Sequence, residues 1–464
     1  MPNLWRRVRT WTACAAAAAA ALSTTACGAG SLAPSRVRAE PPHTITMWTF
    51  KQTHVNALEQ AAAVFKKQTG VAVRITAYTP DDTFSSKMQS GAATGNLADV
   101  VEAHAGGEDF TFGGAGIAAD LASSMDPVWH AQFLPGTADS GLVTDSVYRS
   151  SQEPKSSDPG VKKGQLFSVP LTAGTFGIVY ANRSMLKAAG LNPDQPPATW
   201  EQFISWLRAT HTAGQQSGGI TMGLQDPSTA FDWLLQPLSY AYLGKNRFEA
   251  LFGKNPTSNW SSPAGQQLLS LYNELTPYWT PGSQALGIDD ADRAFAQGKS
   301  AFDIGGTFTL SSIQQDGMNA NNVVAFAVPP ATGSAVPHLK LAPIALTGLS
   351  ITASSANRAD DLKWVRFLTS RQAAAAFART ALDLPATDLG ASAASAVGPH
   401  MAALESVFGP AGPDTYIPSD TTFMGPTYDP TQSGTVLVQM SPLKGLSPAG
   451  AAKQLGVLIT NSWK

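Results

Sequence analysis

The sequence predicts an α/β fold, and three observations carry that expectation. Strand-period and helix-period hydrophobic patterns alternate from residue 43 onward. The first strand, helix and strand fit within about 30 residues, the length of a βαβ unit whose strands run parallel. Helix caps and glycine stops punctuate the alternation along most of the chain.

The elements follow in order. Residues 44–48 alternate as a short strand. Val55, Leu58, Ala61, Ala62 and Phe65 recur at helical spacing over 55–68, and Gly70 ends that helix. Val71, Val73 and Ile75 alternate as a second strand. A helix around 84–88 leads through Gly91 and Gly95 to a third strand at 99–103. Residues 176–180 read as a strand, and 184–189 as a short helix stopped by Gly190. Thr199 and Gln202 form a capping box for a helix running to about His211, with Trp200 packing beneath the cap. The segments 220–224, 231–243 and 268–275 continue the pattern. Residues 323–328 and 344–352 read as strands, and 360–368 and 371–381 as helices. The stretch 410–434 holds five prolines and reads as loop.

Composition narrows the function. A chain of 464 residues suggests two or three domains. Charged residues are 14%, below the ~25% of an ordinary globular domain. The net charge is −2, and without residues 1–26 it is −5, from 28 basic against 33 acidic residues. Such a balance excludes a basic nucleic-acid footprint and gives no steering toward anionic membranes. No segment beyond the N-terminus is apolar enough to span a bilayer.

Residues 1–26 read as an export signal. Arg6, Arg7 and Arg9 form a positive region, and 13–22 is an apolar run too short to cross a membrane. Small residues then lead to Cys27. Cys14 and Cys27 are the only cysteines, and Cys14 lies inside the signal, so Cys27 has no disulfide partner after processing. This points to lipidation at Cys27, although Thr24 stands where a lipobox usually has Leu; an ordinary cleaved signal is the alternative. Residues 27–42, rich in Ala, Gly, Ser and Pro, read as anchor and flexible tether.

Signs of catalysis are weak. The acid doublets Asp81-Asp82, Asp289-Asp290 and Asp360-Asp361 sit where helices start, where acids favour the helix dipole. Ser184-Met185-Leu186-Lys187 has the Ser-x-x-Lys spacing but no companion motif. Gly113-Gly114-Ala115-Gly116 lacks the strand–helix context of a dinucleotide site. Seven scattered histidines give no metal spacing, so neither a metal nor another cofactor is expected.

Several stretches, taken in order, resemble the extracellular solute-binding proteins of ABC sugar importers, the maltose-binding-protein-like group. They begin with Ile45-Thr46-Met47-Trp48 and the Gly91 run into Leu97-Ala98-Asp99-Val100-Val101, where Ala98 replaces the usual Pro. Val169-Pro170-Leu171, Gly177-Ile178-Val179-Tyr180-Ala181-Asn182 and Ala189-Gly190-Leu191 make the most specific match, continued by 196–203. Phe295, Gly298, Lys299, Ala301 and Phe302 follow, then Gly305-Gly306-Thr307-Phe308, with Phe308 where Trp is common. The segments 351–368 and 382–386 complete the resemblance, which spans about 43–390.

The resemblance implies a two-lobed, type II periplasmic-binding-protein-like fold with discontinuous lobes joined by a hinge. Lobe 1 would be 43–168 plus 333–372, and lobe 2 would be 169–332 plus 373–464. It implies a monomeric binding protein and not an enzyme, lipid-anchored outside the bacterial cytoplasmic membrane, that hands a sugar to permease subunits. The same fold around a glycerophosphodiester or other polar solute, a sensory role, and a secreted glycoside hydrolase stay open as alternatives.

Parallel α/β sheets bind ligands beyond the carboxyl ends of their strands. That rule selects Trp48 and Lys51 after the first strand, and Glu102 and His104 at the third. Sugars want aromatic faces and a few placed polar groups. Trp48 offers a platform, with core packing as its alternative; Glu102 offers an acceptor, with a salt-bridged acid as its alternative. His104 also reads as a structural hydrogen-bonding residue. Near the lobe crossing, Thr175 is a candidate. The resemblance adds Trp233 and Gln236, which share a helix face at that spacing, and Gly306 and Phe308 of the Gly-aromatic turn. Thr347 and Gly348 complete the set from a lobe 1 segment.

Overall fold

The computed structural model describes residues 44–153, 156, 158–211 and 219–464. The export signal, Cys27 and the tether lie outside the described residues.

The βαβ unit forms as the spacing predicts. Strands β1 (Thr44–Thr49) and β2 (Ala72–Ala77) pair in parallel, Thr44 opposite Ala72, on either side of helix Val55–Thr69. That helix buries Leu58, Ala62 and Phe65 and ends at Gly70, whose φ of 77° suits glycine. Strand β3 (Val100–His104) pairs in parallel on the other side of β1. Helix Asp81–Thr94 between β2 and β3 extends beyond 84–88, and its mostly polar outer turns carry no hydrophobic periodicity to mark them.

From there the chain builds two sheets. Strand β4 (Val169–Gly174) belongs to the first, and β5 (Phe176–Asn182), one residue later, belongs to the second. Strands β6 (Ile220–Met222), β7 (Phe302–Gly306) and β8 (Val323–Ala327) complete the second sheet in the order β6-β7-β5-β8. The short β9 (Lys340–Leu341) precedes β10 (Ile344–Ile351), which returns to the first sheet, ordered β2-β1-β3-β10-β4. There β10 runs antiparallel to both β3 and β4. A small pair joins β9 to β11 (Thr415–Tyr416).

Each sheet has its own core. The first gathers Met47, Leu58, Phe65, Val169, Leu349, Trp364 and Phe377. The second gathers Tyr180, Trp200, Phe203, Phe231, Trp260 and Tyr272. A smaller cluster under helix Asp81–Thr94 holds Trp48, Phe84 and Met88. The cap at Thr199 forms: its hydroxyl accepts the Gln202 N–H at 3.3 Å, and Trp200 is fully buried beneath it. Beyond 390, where the sequence resembles nothing familiar, helices Pro399–Glu405, Pro430–Met440 and Pro448–Asn461 supply Met401, Leu437, Met440 and Leu455 to the second core. Helix Arg371–Ala381 contributes Phe377 and Ala381 to the first core, and Ala374 and Ala378 to the second. Among the described residues, no helix is long and apolar enough to cross a membrane.

Candidate functional site

The crossing between sheets is tight. Around Thr175 the chain passes from β4 to β5 with Gly174 against Thr307, and a Cβ on Gly174 would collide with the Thr307 hydroxyl. Gly177, at φ 80°, breaks the register between β5 and β7, and a Cβ there would lie 2.6 Å from the Trp233 carbonyl. The conformation at Gly177 therefore lets the 230–243 segment approach β5. That segment opens with a wide π turn, Ala230–Leu235, before the α-helix Gln236–Leu243.

This approach assembles an aromatic group. Phe176 and Trp233 stack at 4.9 Å with planes 2° apart. Phe308 stands edge-on to both, at 6.4 Å and 6.0 Å. Phe308 follows β7, and its turn is fixed by the Tyr180 hydroxyl, which donates to the Gly306 carbonyl at 2.6 Å. At Gly306 a side chain would run into the Phe308 ring.

From the first sheet, Lys51 reaches this group: its ammonium lies 5.0 Å from the Phe308 ring centre. It also pairs with Asp383 at 3.2 Å. Asp383 belongs to a buried charge cluster. His54 Nδ1 meets Glu102 Oε1 at 2.8 Å, and its Nε2 meets Asp383 Oδ2 at 3.0 Å. The Thr49 hydroxyl donates to Glu102 Oε2 at 2.7 Å. All of these except Lys51 are fully buried. Burial alone would lower the His54 pKa, but the Glu102 charge and hydrogen bonds to Asp383 and Glu102 outweigh it, so the pKa is raised. Burial likewise pushes Glu102 and Asp383 up. The charges of His54 on Glu102 and of Lys51 on Asp383, with their hydrogen bonds, leave both below the usual range.

The other expected residues fall in several places. Trp48 packs in the cluster with Phe84 and Met88, edge-on to Tyr78 at 5.2 Å, with Lys87 over its face at 4.8 Å. His104 is half-exposed, stacks on Phe50 at 4.1 Å and pairs with Glu108. Thr175 is buried with its hydroxyl unpartnered, while its N–H donates to Thr307 Oγ1 at 3.3 Å. Gln236 does not share the Trp233 environment. It donates to Asp232 at 2.5 Å and accepts from the Tyr416 hydroxyl at 3.1 Å, because the π turn changes the angular spacing that an α-helix would give. The Thr347 hydroxyl bonds Thr172 at 2.9 Å inside the first sheet. Gly348 lies against Ser168, where a Cβ would come within 2.6 Å of its hydroxyl oxygen.

The structure thus brings Lys51, Glu102, Trp233, Gly306 and Phe308 into one continuous set of contacts, linked by His54, Asp383 and Phe176. Sequence reasoning does not select His54 or Asp383. His54 lies at the start of a helix three residues after Lys51, and Asp383 stands 329 residues further on, so no local spacing joins them. The available signal is Asp383's place inside the 382–386 element. Among the described residues, no group of three His, Cys, Asp or Glu is arranged to hold a metal ion.

Comparison with known proteins gives the family and the fold. The family model described as bacterial extracellular solute-binding protein matches residues 51–375. A structure reported under xylan utilization by the thermophilic bacterium Caldanaerobius polysaccharolyticus is similar with a TM-score of 0.66 and 18% identity, covering 89% of this chain and 99% of that one. The Thermus thermophilus maltotriose binding protein, bound with maltotriose, has a TM-score of 0.59 and 18% identity, covering 90% and 100%. A sequence relative, the sn-glycerol-3-phosphate-binding periplasmic protein of Pectobacterium atrosepticum, is 39% identical over 57 residues, 12% of this chain. That match spans only 13% of the relative's length. The solved structures share the two-lobed fold.

Proposed function

Because this chain belongs to the family of bacterial extracellular solute-binding proteins, we propose that it captures a sugar or oligosaccharide for an ABC importer, closing two lobes around it. The aromatic group Phe176, Trp233 and Phe308, facing a Lys51 ammonium anchored to a buried carboxylate, carries this reading. Pyranose CH faces pack on aromatic rings, and hydroxyls bond to fixed polar groups around them. The fold shared with the maltotriose-bound protein adds support.

The site residues proposed for contact are Lys51, Phe308, Trp233 and Thr175, the last because a buried hydroxyl without a partner sits at the crossing. The lobes are proposed to divide along the two sheets; because β4 pairs in the first sheet, the expected boundary at 168/169 moves to the crossing at Thr175. Permease subunits are the proposed partners.

A glycerol phosphate ligand is the second reading, favoured by the 57-residue similarity. A phosphate recruits uncompensated cations or helix N-terminal amides. Here Lys51 is already paired with Asp383, which weighs toward a neutral ligand. Hydrolysis would need two carboxylates free to act across a bond. Glu102 and Asp383 are both held by His54, which favours binding without turnover.

A thermal-shift screen with maltotriose, xylo-oligosaccharides and sn-glycerol 3-phosphate tests the reading, because ligand that binds only the folded form raises the melting temperature. A shift with sugar alone, the sugar recovered intact, supports it. A shift with sn-glycerol 3-phosphate alone moves the ligand to the second reading, and released sugar products would make the protein an enzyme. The family places the protein outside the cytoplasm, and lipidation at Cys27 is proposed from the absence of a disulfide partner. Cys27→Ala is expected to release the protein from membranes; persistent association counts against the anchor.

A further inference from the structure

His54 ties together both buried carboxylates next to the contact between Lys51 and Phe308. An ionised carboxylate only accepts hydrogen bonds, and a neutral imidazole has a single N–H to give. His54 meets a carboxylate at each ring nitrogen, at 2.8 Å and 3.0 Å. The other contacts favour the ionised form of both acids, each of which accepts from its neighbours, with the Lys51 ammonium against Asp383. Thr49 Oγ1 takes the Lys51 backbone N–H at 2.9 Å, so its own proton goes to Glu102. Asp383 accepts from the Leu384 N–H at 3.0 Å and from Lys51 at 3.2 Å. With both carboxylates ionised, His54 must offer them two ring N–H groups, and only the imidazolium has both.

We propose that His54, held as an imidazolium between Glu102 and Asp383, positions the Lys51 ammonium beside Phe308 and so makes ligand capture depend on pH. The proposal rests on the reading that Lys51 and Phe308 border the ligand site. His54 touches no ligand in it; it acts through Asp383 on Lys51.

The charges decide the direction. With His54 protonated, two cations face two carboxylates and the cluster is neutral. Loss of that proton leaves Lys51 as the cation for two buried acids, which draws the ammonium inward, away from Phe308. Other elements packed here supply no replacement charge among the described residues. Helix Arg371–Ala381 turns Phe377 edge-on to the His54 ring at 4.9 Å, while Arg371 and Arg379 donate to the carbonyls of Asp388 and Ala396. Helix Thr309–Gln315, beside the Gln52–His54 turn, carries no ionisable residue. Tyr180 on β5 feels the Asp383 charge, as it does those of Asp292 and Asp303, and burial holds it neutral. The raised His54 pKa agrees with this arrangement.

The test combines NMR titration of the histidine ring and lysine ammonium nitrogens with calorimetry of maltotriose binding from about pH 6 to 9, on the full chain and on His54→Gln. We expect both His54 nitrogens protonated near pH 6, a Lys51 ammonium signal that moves with the His54 titration, and affinity falling about tenfold across it. His54→Gln, which cannot become a cation, should flatten the pH profile. A neutral His54 near pH 6, a Lys51 signal indifferent to His54, or a flat wild-type affinity profile would each overturn the proposal. Absence of maltotriose binding at every pH sinks the choice of ligand instead, and the two NMR signals still decide the role of His54. If His54→Gln does not fold, the wild-type titration alone decides between the same outcomes.

Discussion

Two buried carboxylate pairs, one beside each sheet, have opposite electrostatics. In the first, Glu102 and Asp383 flank His54 and lie near Lys51, and both pKa values fall below the usual range. In the second, Asp292 of helix Ile288–Ala296 and Asp303 of β7 are equally buried with no cation among the groups that shift them. Burial raises both: Asp303 is pushed up to about 6, and Asp292 well above the usual carboxylate range, since two such groups cannot both ionise there. One proton shared between them gives a partner to one oxygen of each acid, among Asp292 Oδ2 and both Asp303 oxygens that otherwise lack one. Burial is the same in the two places; the cation partner decides whether the acids are charged.

The pH dependence follows with opposite signs. Glu102 and Asp383 have lowered folded pKa values, so their contribution is present above the ordinary 4.5 and 3.8 and is lost as pH falls through the folded values. His54 has a raised value, so its contribution is full below 6.5 and is lost as pH rises through the folded pKa. Asp303 is also raised, so its contribution is present below 3.8 and disappears as pH rises toward about 6.

The largest expected effect breaks the first pair. Asp383→Ala leaves His54 and Lys51 without their shared acceptor and should cost about 3–5 kcal/mol in urea unfolding near pH 7. A loss below about 1 kcal/mol would mean that the cluster is not a buried ion pair of the kind described. The next change acts on the second pair in the reverse direction. Asp303→Asn removes an acid that resists ionising and should stabilise the protein by roughly 1–3 kcal/mol near pH 8, the gain vanishing near pH 4. Destabilisation at both pH values would show that the two acids do not share a proton. The smallest effect concerns the contact that reaches across from the first cluster. Phe308→Ala should weaken sugar binding about tenfold while the protein stays folded. Unchanged affinity would remove Phe308 from the site.

Much of the fold is legible in local pattern. The ends of helix 371–381 can be placed to the residue, because Ser370 caps it and periodic apolar positions mark its face. The pattern at 84–88 marks only the middle of the helix that spans 81–94, because hydrophobic periodicity is weak outside Phe84 and Met88. The 231–243 segment has the pattern of a single helix. It opens instead with a π turn whose Trp233 carbonyl lies close to Gly177, a contact across more than fifty residues that no pattern within the segment reveals.

The sequence by itself determined the α/β alternation, the parallel βαβ start, the Thr199 cap and the Gly70 helix stop. Each depends on residues a few positions apart, where side-chain period, capping and glycine torsion act directly. Tertiary structure alone decided which sheet β4 joins, that 371–386 serves both cores, and that His54, Glu102 and Asp383 form one cluster. Those outcomes depend on groups tens to hundreds of residues apart, and on a buried environment in which a carboxylate's neighbour fixes its charge. A chain can show that Asp383 and Asp292 are acids, but only the packed interior makes one of them ionised and the other a proton holder.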